Sequence, residues 1–141
     1  MTKKTQPLLT VEELLRMPEA DYMSDRQLAF FKNRLESMAE ELKNNASQTA
    51  EAMREHTVVA DITDRASIEE EHALELRKRD RERKLLMKVQ AALRRIETGD
   101  YGWCEETGDP IGVARLLARP TATLSVEAQE RREMRQKMFG D

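Results

Sequence analysis

One cysteine, one tryptophan, four prolines and five glycines in 141 residues leave several architectures without material. A single cysteine excludes an internal disulfide and fits a reducing compartment. The N-terminus, MTKKTQPLLTVEELL, lacks the apolar core of a signal peptide. No segment carries the roughly 20 apolar residues of a membrane span, so a cytoplasmic protein without membrane contact is expected. Aromatic residues make up 4% of the chain, too few for a large globular core, and the scarcity of Pro and Gly argues against a turn-rich sheet. An excess of either charge is also missing. The 27 acids against 24 bases give a net charge of -3, so no global field gathers nucleic acid and direct DNA binding is not expected.

What is abundant is the material of long helices: Glu, Lys, Arg, Ala, Leu, Gln and Met, within a chain that is 36% charged. Thr10-Val-Glu-Glu13 reads as a capping box, with Leu9 and Leu14 as its hydrophobic staple, and predicts a short helix from Val11 to Met17 that Pro18 ends. Ser24-Asp-Arg-Gln27, flanked by Met23 and Leu28, repeats the device before a much longer segment. There Leu28, Phe31, Leu35, Met38 and Leu42 recur at spacings of three and four, the seam of a coiled helix, and Asn45, Thr49 and Ala52 continue it weakly.

A second helix is expected from Arg65 to Thr98, with Leu86, Val89, Leu93 and Ile96 on a matching stripe. Both stripes weaken toward the intervening turn, which predicts an antiparallel hairpin with arms roughly 50 Å long at about 1.5 Å per residue. Its run EEEHALELRKRDRERK forms charge pairs three and four apart on a solvated face. Gly99 suits the position after a helix end, 100–124 reads as irregular, and Ser125 caps a last helix to Met138. Leu124, Val126 and Met134 are expected to pack that helix near Trp103.

The expected fold is thus mainly α: a long antiparallel coiled-coil hairpin on a small globular base, with a degenerate zinc-finger-like segment and a C-terminal helix. Residues 1–23 hold a short helix of the base, 24–98 the hairpin with its tip near 57–66, 99–124 the zinc-finger-like segment, and 125–141 the last helix.

The zinc-like segment, YGWCEETGDPIG, carries one cysteine where a metal knuckle would carry two. From Cys104 the pattern is C-x2-T, 17 residues, then S-x2-A, the spacing of a four-cysteine zinc site in which Thr107, Ser125 and Ala128 replace three thiolates. His56 and His72 fall on the hairpin, far along the chain, so no zinc is expected. Packing by Trp103, Ile111, Val113, Leu116 and Leu124, with turns at Gly102, Gly108 and Pro110, is expected to replace the metal. Cys104 reads as a small structural residue, its pKa raised by Glu105 and Glu106.

Three stretches carry a resemblance: the D-x-x-D-x-A pattern at Asp61, Asp64 and Ala66; ELRKRDRERKL at Glu75 to Leu85; and IGVARLLARPTA at Ile111 to Ala122. Their order and spacing resemble the DksA/TraR family of bacterial RNA polymerase regulators across roughly residues 20 to 138. The resemblance implies a coiled-coil factor, expected to be monomeric, that enters the secondary channel of RNA polymerase and destabilises promoter complexes. It implies stringent-response control of ribosomal RNA and amino-acid biosynthesis promoters with ppGpp as co-regulator and no tightly bound cofactor.

By the same resemblance Asp61, Asp64 and Ala66 form the tip that acts on polymerase. Arg81 and Arg115 hold the factor in the channel, and Leu85, Lys88 and Arg119 contribute to a ppGpp site at the interface. Gln129 stands where the family has a further base, which removes a phosphate partner. Read singly, Asp64 is a helix cap, Asp61 a solvated turn residue, Leu85 packing, and the bases ordinary surface charges. Nothing in the chain pairs a nucleophile with a base or forms a phosphate loop, so an enzyme is not expected. Two other classes remain open: a coiled-coil adaptor for another helical protein, and a transcript-cleavage-type elongation factor.

Overall fold

A computed structural model describes residues 7–59 and 65–139. Among the described residues five α-helices follow in order: α1 (Val11–Arg16), α2 (Asp25–Val59), α3 (Arg65–Thr98), α4 (Val113–Ala118) and α5 (Val126–Phe139), with a short 3-10 helix at Glu19–Asp21. The chain forms two compact units, Glu36–Gln90 and Met1–Leu35 with Ala91–Asp141. The division falls inside α2 and α3, so each long helix contributes to both units.

In the unit containing both termini, α1 begins as its sequence dictates. The Thr10 hydroxyl accepts from the Glu13 N–H at 3.1 Å and the Glu13 carboxylate accepts from the Thr10 N–H at 2.9 Å. Leu9 and Leu14 are buried beside this box, as a staple requires. The start of α2 keeps half of the expected box, the Gln27 N–H reaching the Ser24 hydroxyl at 3.5 Å, while the reciprocal half is shifted by one residue. Met23 has φ +56°, which directs its own N–H onto Gln27 Oε1 at 2.9 Å, while the Ser24 N–H bonds the Asp21 carbonyl. Gln27 is consequently buried, and its Nε2 donates to the Met17 sulfur.

Phe31, Leu35, Leu14, Leu116 and Tyr101 make the core of this unit. Phe31 packs edge-on to Phe30 and tilted against Tyr101, at centroid distances of 5.2 and 5.6 Å. Fully burying each aliphatic or Phe side chain is worth about 1.5 to 3 kcal/mol, and Leu9, Phe30, Ile111 and Leu124 extend this core.

The segment after α3 is more ordered than its sequence suggests, because VARLLA folds as α4 after Gly112 and buries Leu116. Trp103 does not enter the core: it is 37% exposed and lies edge-on to Tyr22 at 5.2 Å. Tyr101 occupies the interior instead, its hydroxyl donating to the Pro120 carbonyl at 2.7 Å. Val126 and Met134 likewise point to solvent, and only Leu124 of the three expected packing residues is buried.

In the Glu36–Gln90 unit, Leu42 and Val89 of the expected seams are buried, and Ala39 is buried beside a half-buried Met38. Asn45 Nδ2 donates to Glu82 Oε2 at 3.3 Å, linking α2 to α3. Equal steps in opposite directions from that bond set Leu42 against Leu85 and Met38 against Val89, the register of an antiparallel pair. Beyond Asn45 the seam turns polar, with Thr49 buried.

Candidate functional site

The knuckle that follows α3 is assembled by backbone hydrogen bonds that its glycines permit. Trp103 and Pro110 form an isolated antiparallel bridge, the Ile111 N–H bonds the Gly102 carbonyl at 2.8 Å, and the Cys104 N–H bonds the Asp109 carbonyl at 2.8 Å. Gly102 has φ +89°, and a Cβ there would lie 2.5 Å from the Met23 sulfur. Tyr22 ties the two sides together: its hydroxyl donates to the Gly102 carbonyl at 2.6 Å and accepts from the Gly112 N–H at 2.8 Å. Burial pushes the Tyr22 phenol up, against the pull of the Gly112 and Ile111 backbone. Nothing in local spacing flags Tyr22, because its partners lie at least 80 residues away.

Cys104 is buried, and its environment reverses the expected pKa direction. Burial pushes the thiol up, but the Thr107 side chain and the N–H groups of Ser125, Thr107 and Glu106 donate to the sulfur and bring it down to about 6. The neighbouring carboxylates do not oppose this, because Glu105 pairs with Arg95 and Glu106 with Arg132 and Arg135. Thr107 acts in both directions, since its Oγ1 also accepts from the Asp109 N–H at 3.2 Å. The Ser125 hydroxyl caps α5 by accepting from the Ala128 N–H at 3.2 Å, and Ala128 is fully buried. Three of the four positions at zinc-ligand spacing are thus joined by hydrogen bonds, while the fourth contributes a methyl group to the core.

The remaining predicted residues divide between the units. Arg81, Leu85 and Lys88 follow one another at spacings of four and three on one face of α3, with both bases exposed and Leu85 half-buried. Arg115 lies in α4, half-buried, with its Nε enclosed and without a hydrogen-bond partner among the described residues. Arg119 caps the end of that helix, exposed, its N–H bonded to the Arg115 carbonyl at 2.7 Å. Gln129 donates to Glu133 along α5 at 3.0 Å. Ala66 is exposed in the first turn of α3, while Asp61 and Asp64 lie outside the described residues. Arg95 was not legible as a site residue, yet its guanidinium reaches the carbonyls of Asp100 and Trp103, both at 3.0 Å.

Two long helices are followed by a knuckle at four-ligand spacing, and comparison with known proteins gives the family that shares this order. The family model described as DnaK suppressor protein DksA, N-terminal domain, matches residues 27–96, and that of the prokaryotic dksA/traR C4-type zinc finger matches residues 99–133. The RNA polymerase-binding transcription factor DksA of Caulobacter vibrioides is 54% identical over 121 residues, 85% of each chain. Its counterpart from Escherichia coli K12 is 41% identical over 130 residues, 92% of this chain and 86% of that one. The solved structure of transcription factor DksA2 from Pseudomonas aeruginosa superposes with a TM-score of 0.85 at 45% identity, covering 90% of this chain and 98% of that chain. The chain belongs to the DksA/TraR family.

The zinc implied by the second family match does not fit the residues present. A structural site takes four nitrogen or sulfur ligands. These positions offer one thiolate, two hydroxyls already engaged in hydrogen bonds, and an alanine. Among the described residues no group of three or more His, Cys, Asp or Glu is placed to hold a metal ion. No helix among them is long and apolar enough to cross a membrane.

Proposed function

We propose that this chain is a non-catalytic, monomeric cytoplasmic transcription factor that binds RNA polymerase through its secondary channel, without contacting promoter DNA. It destabilises promoter complexes and mediates stringent-response control of ribosomal RNA and amino-acid biosynthesis promoters together with ppGpp. The observation that carries this reading is the 54% identity, over 85% of each chain, to the Caulobacter factor whose name states RNA polymerase binding. In this reading Asp61, Asp64 and Ala66 act on polymerase, Arg81 and Arg115 hold the factor in place, and Leu85, Lys88 and Arg119 face ppGpp. Exposure of Arg81, Lys88 and Arg119 supports these roles, since guanidinium and ammonium groups bind carboxylates and phosphates only when they can reach them. Gln129 adds no charge to the nucleotide site, so the response to ppGpp is weaker than with a base there.

The test is transcription in vitro from a ribosomal RNA promoter with purified polymerase, comparing wild type with Asp64→Asn in the presence and absence of ppGpp. Wild type is expected to shorten promoter-complex lifetime, Asp64→Asn to lose most of that effect, and ppGpp to deepen it. Unchanged lifetimes with wild type would sink the proposal, and shortened transcripts on backtracked complexes would point to a cleavage-type elongation factor. Zinc plays no part in the reading: a chelator is expected to leave the thermal transition unmoved, and stoichiometric zinc in the purified protein would overturn that.

A further inference from the structure

In a four-ligand zinc finger the metal cross-links two short segments into one body. Here the charged ties from the knuckle run outward to helices. We infer that the adjacent carboxylates Glu105 and Glu106 clamp the knuckle to α3 and α5 through arginines, taking over the metal's cross-linking role and making the seating of α5 responsive to ionic strength.

Three observations carry this. Arg95, in the last turn of α3, is 19% exposed and holds Glu105 Oε2 at 3.3 Å. The same guanidinium donates to the Asp100 and Trp103 carbonyls, so one cation organises both the exit from α3 and the near side of the knuckle. On the far side, Glu106 Oε2 accepts from Arg132 at 2.8 Å and lies 3.6 Å from Arg135. These two arginines are three apart on α5 and so share a face. The Glu106 side chain is 26% exposed and those of Arg132 and Arg135 are 49% and 58% exposed, so the cluster sits at the surface, where salt can screen it.

The second half of α5 has little else to hold it. Ala128 is fully buried, but every residue from Glu130 to Phe139 is exposed, so apolar packing fixes only the first turn. Pairs open to solvent weaken as the Debye length contracts from about 8 Å at physiological ionic strength to about 3 Å in molar salt. A zinc-thiolate cross-link has no such dependence, whereas a carboxylate-guanidinium clamp does.

The test is amide hydrogen exchange on the full chain, read by mass spectrometry in about 0.05 M and about 1 M NaCl. Peptides covering α5 are expected to exchange about threefold to tenfold faster in high salt, while those from the Glu36–Gln90 unit keep their rates. Glu106→Gln is expected to bring the fast α5 rates to low salt and to abolish the salt response. Adding Arg132→Gln and Arg135→Gln to that variant then changes nothing more, because the three side chains act as one contact. Equal α5 exchange at both salt concentrations, or a salt response that persists in Glu106→Gln, would overturn the inference. Circular dichroism confirms that each variant retains its helices.

Discussion

The Glu36–Gln90 unit and the unit that carries the knuckle solve the problem of joining distant segments by opposite means. In the first, two helices lie side by side on a periodic seam, and a polar link, Asn45 to Glu82, sits within that period. In the second, single hydrogen bonds between residues 80 or 90 positions apart fix the fold, and no period relates them. A periodic interface spreads its energy over many small contacts, so each is replaceable. A knuckle concentrates its energy on a few positions where conformation, space and polarity must all be met.

The largest expected effect breaks the comparison at Gly102. A side chain there meets both a left-handed backbone at φ +89° and the Met23 sulfur at 2.5 Å. Gly102→Ala is expected to cost about 2 to 4 kcal/mol in denaturant unfolding. Gly108→Ala isolates the backbone part, because φ is +77° but the space is open, and should cost only about 1 kcal/mol. Equal costs at the two positions would show that the contact with Met23 is unimportant. Next comes Tyr22→Phe, which keeps the ring against Trp103 and removes both bonds of the hydroxyl. Leaving the Gly102 carbonyl and Gly112 N–H without that partner should cost about 1 to 3 kcal/mol, measured in the same way.

The two units also differed in how far they could be read in advance. Leu42 and Val89 were visible because burial on a helix repeats every three or four residues, and both are buried. Ser125 was visible as a cap because capping is local. Trp103 was misplaced because size and apolarity do not say whether a turn faces inward, and here the bridge to Pro110 leaves the ring on the surface. The helix α4 was missed because six residues hold less than two turns of period. Cys104 was misjudged for a related reason: adjacent glutamates were visible in the sequence, while the N–H donors aimed at the sulfur and the arginines that occupy those glutamates exist only once the chain is folded.

A pH-dependent effect follows from that sulfur. The folded-state pKa of about 6 lies below the ordinary thiol value near 8.5, so the unfolded chain binds the extra proton between those limits. Cys104 therefore contributes stability that is fully present above about pH 8.5 and is lost as pH falls through about 6. Unfolding midpoints should rise with pH across that window in wild type and flatten there in Cys104→Ser. Thiolate absorbance should titrate with a midpoint near 6 in the native state, and a midpoint near 8.5 would refute the hydrogen-bonded thiolate.

The smallest effect belongs to the periodic unit and sharpens the contrast. Asn45→Ala alone deprives Glu82 of its donor, and because Glu82 Oε1 is already enclosed without a partner among the described residues, the carboxylate is left with neither oxygen served. That single change should cost about 1 to 2 kcal/mol. Replacing both residues, Asn45→Leu with Glu82→Leu, extends the seam of Leu42 and Val89 by one apolar layer and removes the unmet carboxylate together with its partner. The net change should stay within about 1 kcal/mol of wild type, and a double-mutant cycle should show a coupling of similar size. A double variant as damaged as Gly102→Ala would mean that this polar layer, like the knuckle, depends on specific partners, and the distinction between a replaceable seam and an irreplaceable turn would fall.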